Sequence, residues 1–297
     1  MSSVGCMAPL EVTDSRPATV GAIHVRRALP RKGRRTVGAW CFADHMGPAQ
    51  VTKEHGLDIG PHPHMGLQTV TYLVSGEALH HDSLGTEQLI TPGQLNLMTA
   101  GQGVSHSEEA TGQYEGSLQG IQLWIAQPDA TRHLAPAFEH HGELPRIELS
   151  DTKATVLVGE FCGVSSPARH DTALMGVELQ INNRVSLPLR SDFEYAFIVL
   201  EGVIALDGTS LEPGHLGYLA PASDEIELDA FEPARVMLLG GIPFESEILM
   251  WWNFVARSRT EVDQAFDSWC DDDGRFGEVV SHLERINTPA PFWHSPH

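Results

Sequence analysis

The chain has 297 residues, 41% of them hydrophobic, with 28 Gly and 19 Pro, a composition that suits one large or two medium turn-rich domains rather than a long-helix protein. Its 39 acidic against 19 basic residues give a formal charge of -20, which repels phosphate backbones and argues against direct nucleic-acid binding outside a local basic patch. No apolar run approaches the ~18 residues that span a bilayer, so no membrane partner is expected.

The opening MSSVGCMAPLEVTDSR has neither a basic n-region nor an apolar h-region, and no signal peptide is expected. The basic residues Arg26, Arg27, Arg31, Lys32, Arg34 and Arg35 come next and read as a solvated turn and strand edge. Cys6, Cys41, Cys162 and Cys270 lie far apart with no CxxC pair. That argues against a zinc ribbon or a disulfide scaffold and fits reduced thiols in a cytoplasmic, soluble protein.

Short apolar runs then recur between Gly and Pro punctuation: Thr36–Phe42, Thr69–Val74, Gln94–Met98, Gln119–Ile125, Ala154–Val158, Ala173–Ile181, Glu194–Leu200 and Val236–Leu239. Strands of this length separated by turns predict an all-β sandwich or barrel. The stretch from Pro128 to about Glu148, rich in His, Pro and Glu, reads as a linker. One helix is expected late in the chain. Ser258 and Glu261 have capping-box spacing, Val262, Ala265, Phe266 and Trp269 form an apolar stripe, and Gly274 is the expected stop.

Residues 70–100 can be laid over 196–222. Each stretch has an apolar strand, a glycine (Gly76, Gly202), a short hairpin, a Pro-Gly turn (Pro92-Gly93, Pro213-Gly214) and a second apolar strand. Matched turns between matched strands predict two copies of one β-barrel.

The chemistry concentrates in the first copy. Residues i and i+2 of a strand share a face, so His62 and His64 in "PHPH" project together. Pro61 and Pro63 favour extended backbone around them. In "TAGQGVSHSEEA" His106 and Glu108 repeat the spacing. Three imidazoles and a carboxylate suit a divalent first-row metal such as Fe, Mn, Ni, Cu or Zn, and the lack of a thiolate argues against closed structural zinc. His80-His81, His140-His141, His294 and His297 read as ordinary surface and turn histidines. The offsets that locate His62, His64 and His106 fall in the second copy on Pro188, Arg190 and Glu227, so only the first barrel is expected to bind metal. Leu73, Met98, Val104, Leu123 and Trp124 read as barrel core, with a cavity wall as the other possibility.

At these residues the chain resembles the pirin family. "PHPHMGLQTVTYLVSGEALHHDSLG", "PGQLNLMTAGQGVSHSE" and "LQGIQLWIAQP" carry the likeness, and "RRTVGAWCFADHMGP" and "GGIPFESEILMWWNFVARSRTEVDQAFDSWCDDDGRFG" extend it over most of residues 24–277. The resemblance implies a bicupin, two stacked jelly-roll barrels. The expected division is 1–135 as the metal-binding barrel and 136–297 as a metal-free barrel with a closing helix and tail. It implies non-haem Fe(II) as cofactor on His62, His64, His106 and Glu108, with other divalent metals possible and no other cofactor site. Met65 stands where many pirins have arginine, and Gln68 stands where general cupins often place a glutamate ligand.

Bacterial members imply quercetin 2,3-dioxygenase chemistry: a small flavonol or similar enolic aromatic, dioxygen, ring opening and release of carbon monoxide. Glu108 would be the catalytic proton acceptor. Eukaryotic members imply an alternative, a metal- and redox-dependent regulator that binds a transcription factor or metabolic enzyme. A monomer is expected.

Overall fold

β-Branched and aromatic runs bounded by Gly and Pro satisfy their backbone groups best in antiparallel ladders, and the computed structural model of the chain is built that way, with twenty-five strands and one helix among the described residues, 9–294. It is an all-β bicupin. Each of the eight apolar runs contributes to a strand. Cys6 and His297 lie outside the described residues; Cys41, Cys162 and Cys270 form no disulfide with one another.

The chain forms two compact units. Among the described residues, one comprises 9–17, Arg26–His45 and Glu143–Phe244; the other comprises Ala18–Val25, Met46–Gly142 and 245–294. These units differ from a cut at residue 135. The segment carrying the helix groups with the first barrel, because the helix face meets Met65 in a cluster with Phe254, Ala256, Val262, Ala265, Trp269 and Phe276.

In the unit with the histidines, a four-stranded sheet runs in the order Ile59–His64, Val104–Glu109, Ala78–Asp82, Glu87–Ile90. A larger sheet places Ala137–His141, Leu95–Thr99, Leu67–Ser75 and Gly116–Ala126 side by side. The other unit repeats the small sheet as Arg184–Pro188, Glu225–Ala230, Ile204–Leu206, Thr209–Leu211. The repeat's turns are where the alignment puts them. Gly76 and Gly202 have φ of 87° and 73°, and Gly93 and Gly214 have φ of 81° and 107°, left-handed conformations that glycine adopts without penalty. The second unit's interior is filled by apolar side chains such as Val177, Phe197, Leu206 and Leu228, as small barrels usually are.

Two expectations need correction. The Pro128–Glu148 linker contains strand Ala137–His141, paired with Leu95–Thr99, and strand Arg146–Leu149, paired with Thr152–Phe161. Both are only half-buried at best, so they lack the apolar alternation that reveals a strand. The helix, Arg259–Asp271, is capped by Ser258 as expected. It ends at Asp272 in left-handed conformation, with φ of 53°, two residues before Gly274.

Candidate metal centre

His62 and His64 lie on strand Ile59–His64, and His106 lies on the neighbouring strand Val104–Glu109, where it faces His62 directly. Their three ligand nitrogens all fall within 4.8 Å of one another, and all three side chains are buried. The Nε2 atoms of His64 and His106 are 3.0 Å apart. Nitrogens ~2.1 Å from one metal, at right angles, would be separated by ~3 Å, so this spacing fits a shared ion. It is the one such group of three or more among the described residues.

Each ring is held from behind. His62 Nδ1 is 2.8 Å from the Gly60 carbonyl oxygen, which fixes the proton on Nδ1 and leaves Nε2 as a lone-pair donor. The register between the two strands shifts between His106 and Glu108, where Glu108 pairs with Ile59. The His64 ring meets Trp124 edge-on at 5.2 Å. Burial first, opposed by the Gly60 carbonyl and reinforced by His80, lowers the His62 pKa to about 4. Burial and then the neighbouring imidazoles push His64 and His106 well below their ordinary value. All three are therefore neutral at pH 7, the form a metal requires.

Glu108 is buried on the same strand as His106. Its carboxylate is outside the converging group and lies 3.2 Å from the Thr71 hydroxyl, which is also 2.9 Å from Gln122. Burial raises its pKa, with His80 and the Thr71 hydrogen bond partly offsetting the rise. Gln68 is fully buried and donates to Thr99 at 3.0 Å.

The sequence reading overlooked His80, which it grouped with His81 as a surface residue. His80 is buried, 3.3 Å from His106 Nδ1 and 3.1 Å from Asp82. Strand register sets it opposite Glu108, and sets Asp82 opposite His106. The signal was present: His80 and Asp82 have the same i, i+2 spacing as the two chosen pairs. His81 turns away to Glu109 and Glu87. Among the residues read as core, Met98 and Val104 pack with Ala100 and Phe138, and the Phe138 ring stacks on His80 at 4.6 Å. Leu73 belongs to a separate core cluster with Ile59 and Leu118.

A cavity of about 540 Å³ is lined by Met65, Gln102, His133, Glu261, Gln264, Gly274 and Arg275. No helix among the described residues is long and apolar enough to cross a membrane.

Comparison with known proteins bears on this arrangement. The Pirin family model matches residues 22–125, and the model of the pirin C-terminal cupin domain matches 174–277. A Pseudomonas aeruginosa protein provisionally named a quercetin 2,3-dioxygenase is 45% identical over 289 residues, covering 96% of this chain and 91% of its own length. A pirin-like protein of Caulobacter vibrioides is 36% identical over 266 residues, covering 87% of this chain and 92% of its own. The crystal structure of a quercetin 2,3-dioxygenase from Acinetobacter baumannii superposes with a TM-score of 0.93 at 42% identity, covering 97% of both chains. With both barrels matched and relatives of this similarity along nearly the whole length, the chain belongs to the pirin family.

Proposed function

We propose that this pirin is an iron-dependent dioxygenase of the quercetin 2,3-dioxygenase type, acting on a flavonol or a similar enolic aromatic. The observation that carries the reading is the convergence of three buried imidazoles beside a buried carboxyl. His62, His64 and His106 hold the metal in this reading, with Glu108 as fourth ligand and proton acceptor. The donor set suits Fe(II) and accepts Mn, Ni, Cu or Zn. The similarity to proteins named for this reaction supports the substrate class.

When bound, such a metal supplies Lewis acidity toward an enol oxygen and one-electron chemistry toward dioxygen. The chain's residues do the rest. Burial keeps the three imidazoles neutral, so no proton has to leave them before the site forms. Burial also raises the Glu108 pKa, which strengthens the carboxylate as an acceptor for the substrate's hydroxyl proton. The Thr71 hydroxyl orients Glu108 Oε1. Trp124 packs edge-on against the His64 ring, and Phe138, which packs on Met98, Ala100 and Val104, stacks on His80.

The test is anaerobic purification with metal analysis, then oxygen uptake and carbon monoxide release with a panel of flavonols. Iron-loaded protein is expected to consume oxygen with at least one of them, and Glu108→Gln to slow turnover by 10²-fold or more. Iron-loaded protein that consumes no oxygen with any flavonol overturns the enzyme reading. Retention of a protein partner by the wild type and its loss by His62→Ala would then favour regulation by docking.

A further inference from the structure

Behind the three converging rings lies a second, fully internal pair of groups. His80 and Asp82 are 4% and 2% exposed and share the face of strand Ala78–Asp82 that looks toward His106. Their polar atoms form one continuous series. Asp82 Oδ1 accepts from the backbone N–H of Leu84 at 2.9 Å and of Thr86 at 3.0 Å. Asp82 Oδ2 is 3.1 Å from His80 Nε2, and His80 Nδ1 is 3.3 Å from His106 Nδ1. On the far side of the His106 ring, Nε2 faces His64 Nε2. The stack of His80 on Phe138, at 4.6 Å and 22° between planes, keeps the His80 ring from rotating away.

With His80 as the neutral imidazole, the donor and acceptor inventory leaves one consistent assignment. A carboxylate only accepts, so the proton between Asp82 and His80 resides on His80 Nε2. A ring carrying its proton there presents Nδ1 as an acceptor, so His106 Nδ1 must donate. His106 then has its lone pair on Nε2, the atom aimed at His64.

We propose that His80, oriented by Asp82, is a positioning residue that locks His106 in the tautomer presenting Nε2 as a metal ligand. The inference rests on the reading of His106 as a ligand. A ligating histidine commonly donates its second ring N–H to a carboxylate or carbonyl, and removing that partner typically costs ~10–100-fold in metal affinity. Here an imidazole is interposed between ligand and carboxylate, so a change at Asp82 is transmitted through two rings.

Asp82→Asn is the discriminating variant because it barely alters shape. Its amide oxygen can keep the Leu84 and Thr86 bonds while its NH₂ faces His80 Nε2. His80 must then accept at Nε2 and donate from Nδ1, and the His106 proton is driven onto Nε2, where the lone pair is needed. The probe is Co(II), titrated against wild type, Asp82→Asn, His80→Leu, His80→Gln and His62→Ala. Long-range ¹⁵N–¹H spectra of the metal-free wild type report the His106 tautomer independently of any metal.

The expected results are a His106 proton on Nδ1, a loss of ~10–100-fold in Co(II) affinity for Asp82→Asn and for His80→Leu, and recovery of most of that loss in His80→Gln, whose amide oxygen can accept from His106. A His106 proton on Nε2, or an Asp82→Asn affinity within twofold of wild type while His62→Ala binds poorly, overturns the positioning role and leaves the metal site standing. If His62→Ala binds Co(II) as well as wild type, the metal reading itself fails, a result distinct from the other two.

Discussion

His62 Nδ1 lies 2.8 Å from the carbonyl oxygen of Gly60, two residues earlier on the same strand. That strand edge is packed against the segment near the chain's end: a Cβ on Gly60 would come within 2.1 Å of the Glu284 carbonyl oxygen. The orientation of the His62 ring therefore depends on a position with no room for a side chain.

Gly60→Ala tests that dependence. The methyl collides with backbone rather than with a flexible side-chain end, so either the strand or residues 283–284 must move, at a cost of typically 1–3 kcal/mol. We expect a lower melting temperature for the metal-free protein and weaker Co(II) binding, because the carbonyl that holds His62 moves with the strand. Calorimetry with a parallel metal titration checks both. An unchanged melting temperature would show that the packing at Gly60 is looser than the distances state.

Acid should weaken the metal-free fold through its buried histidines. Burial, reinforced by Arg26, lowers the His45 pKa from 6.5 to about 4, and burial does the same to His62. The folded pKa lies below the unfolded one, so as pH falls the unfolded chain takes up the protons first. The stability these groups contribute is complete above about pH 6.5 and is lost progressively toward pH 4, by on the order of 3 kcal/mol for each such histidine. Denaturant unfolding of metal-free protein between pH 7.5 and 5 should show a falling midpoint, and His62→Gln should flatten the slope. A midpoint that rises on acidification would contradict the sign.

The convergence of His62, His64 and His106 and the repeated Gly and Pro-Gly turns were legible because period-2 projection and left-handed turn geometry act locally, whereas the Glu108 carboxylate, paired in the sequence with His106, lies outside the converging group. His80 was hidden by His81. The doublet reads as a polar turn, yet alternation sends one ring inward and the other toward Glu109. Strands Ala137–His141 and Arg146–Leu149 were hidden because neither buries a full face. The grouping of the helix with the first barrel depends on Met65 and Phe254 meeting the helix face, a pairing of residues some 190 positions apart that no local pattern encodes.

The helix start offers a local check. Ser258 Oγ accepts from the Glu261 N–H at 3.3 Å, and the Glu261 carboxylate accepts from the Arg257 N–H at 3.1 Å and from Arg132 at 2.7 and 3.2 Å. Ser258→Ala removes one cap bond and should cost ~1 kcal/mol. Glu261→Ala also leaves the Arg132 guanidinium without that carboxylate and should cost more. Equal losses in chemical denaturation would mean that this partly buried Arg132 pair contributes nothing measurable.

Met65 stands where many pirins carry arginine, and Arg275 Nη2 lies 2.8 Å from its sulfur. A guanidinium thus reaches the same place from another part of the chain. Burial lowers the Arg275 pKa, while Asp273 and Glu261 act in the opposite direction, so the site tolerates one positive charge at some desolvation cost. Met65→Arg would set two cations in contact beside His64. We expect a loss of about 1–3 kcal/mol, with much of it recovered in Met65→Arg/Arg275→Ala, since the double variant again has one cation there. A double-mutant cycle gives the coupling directly. Additive losses would mean that the two side chains avoid each other in solution and that Arg275 does not stand in for the missing arginine.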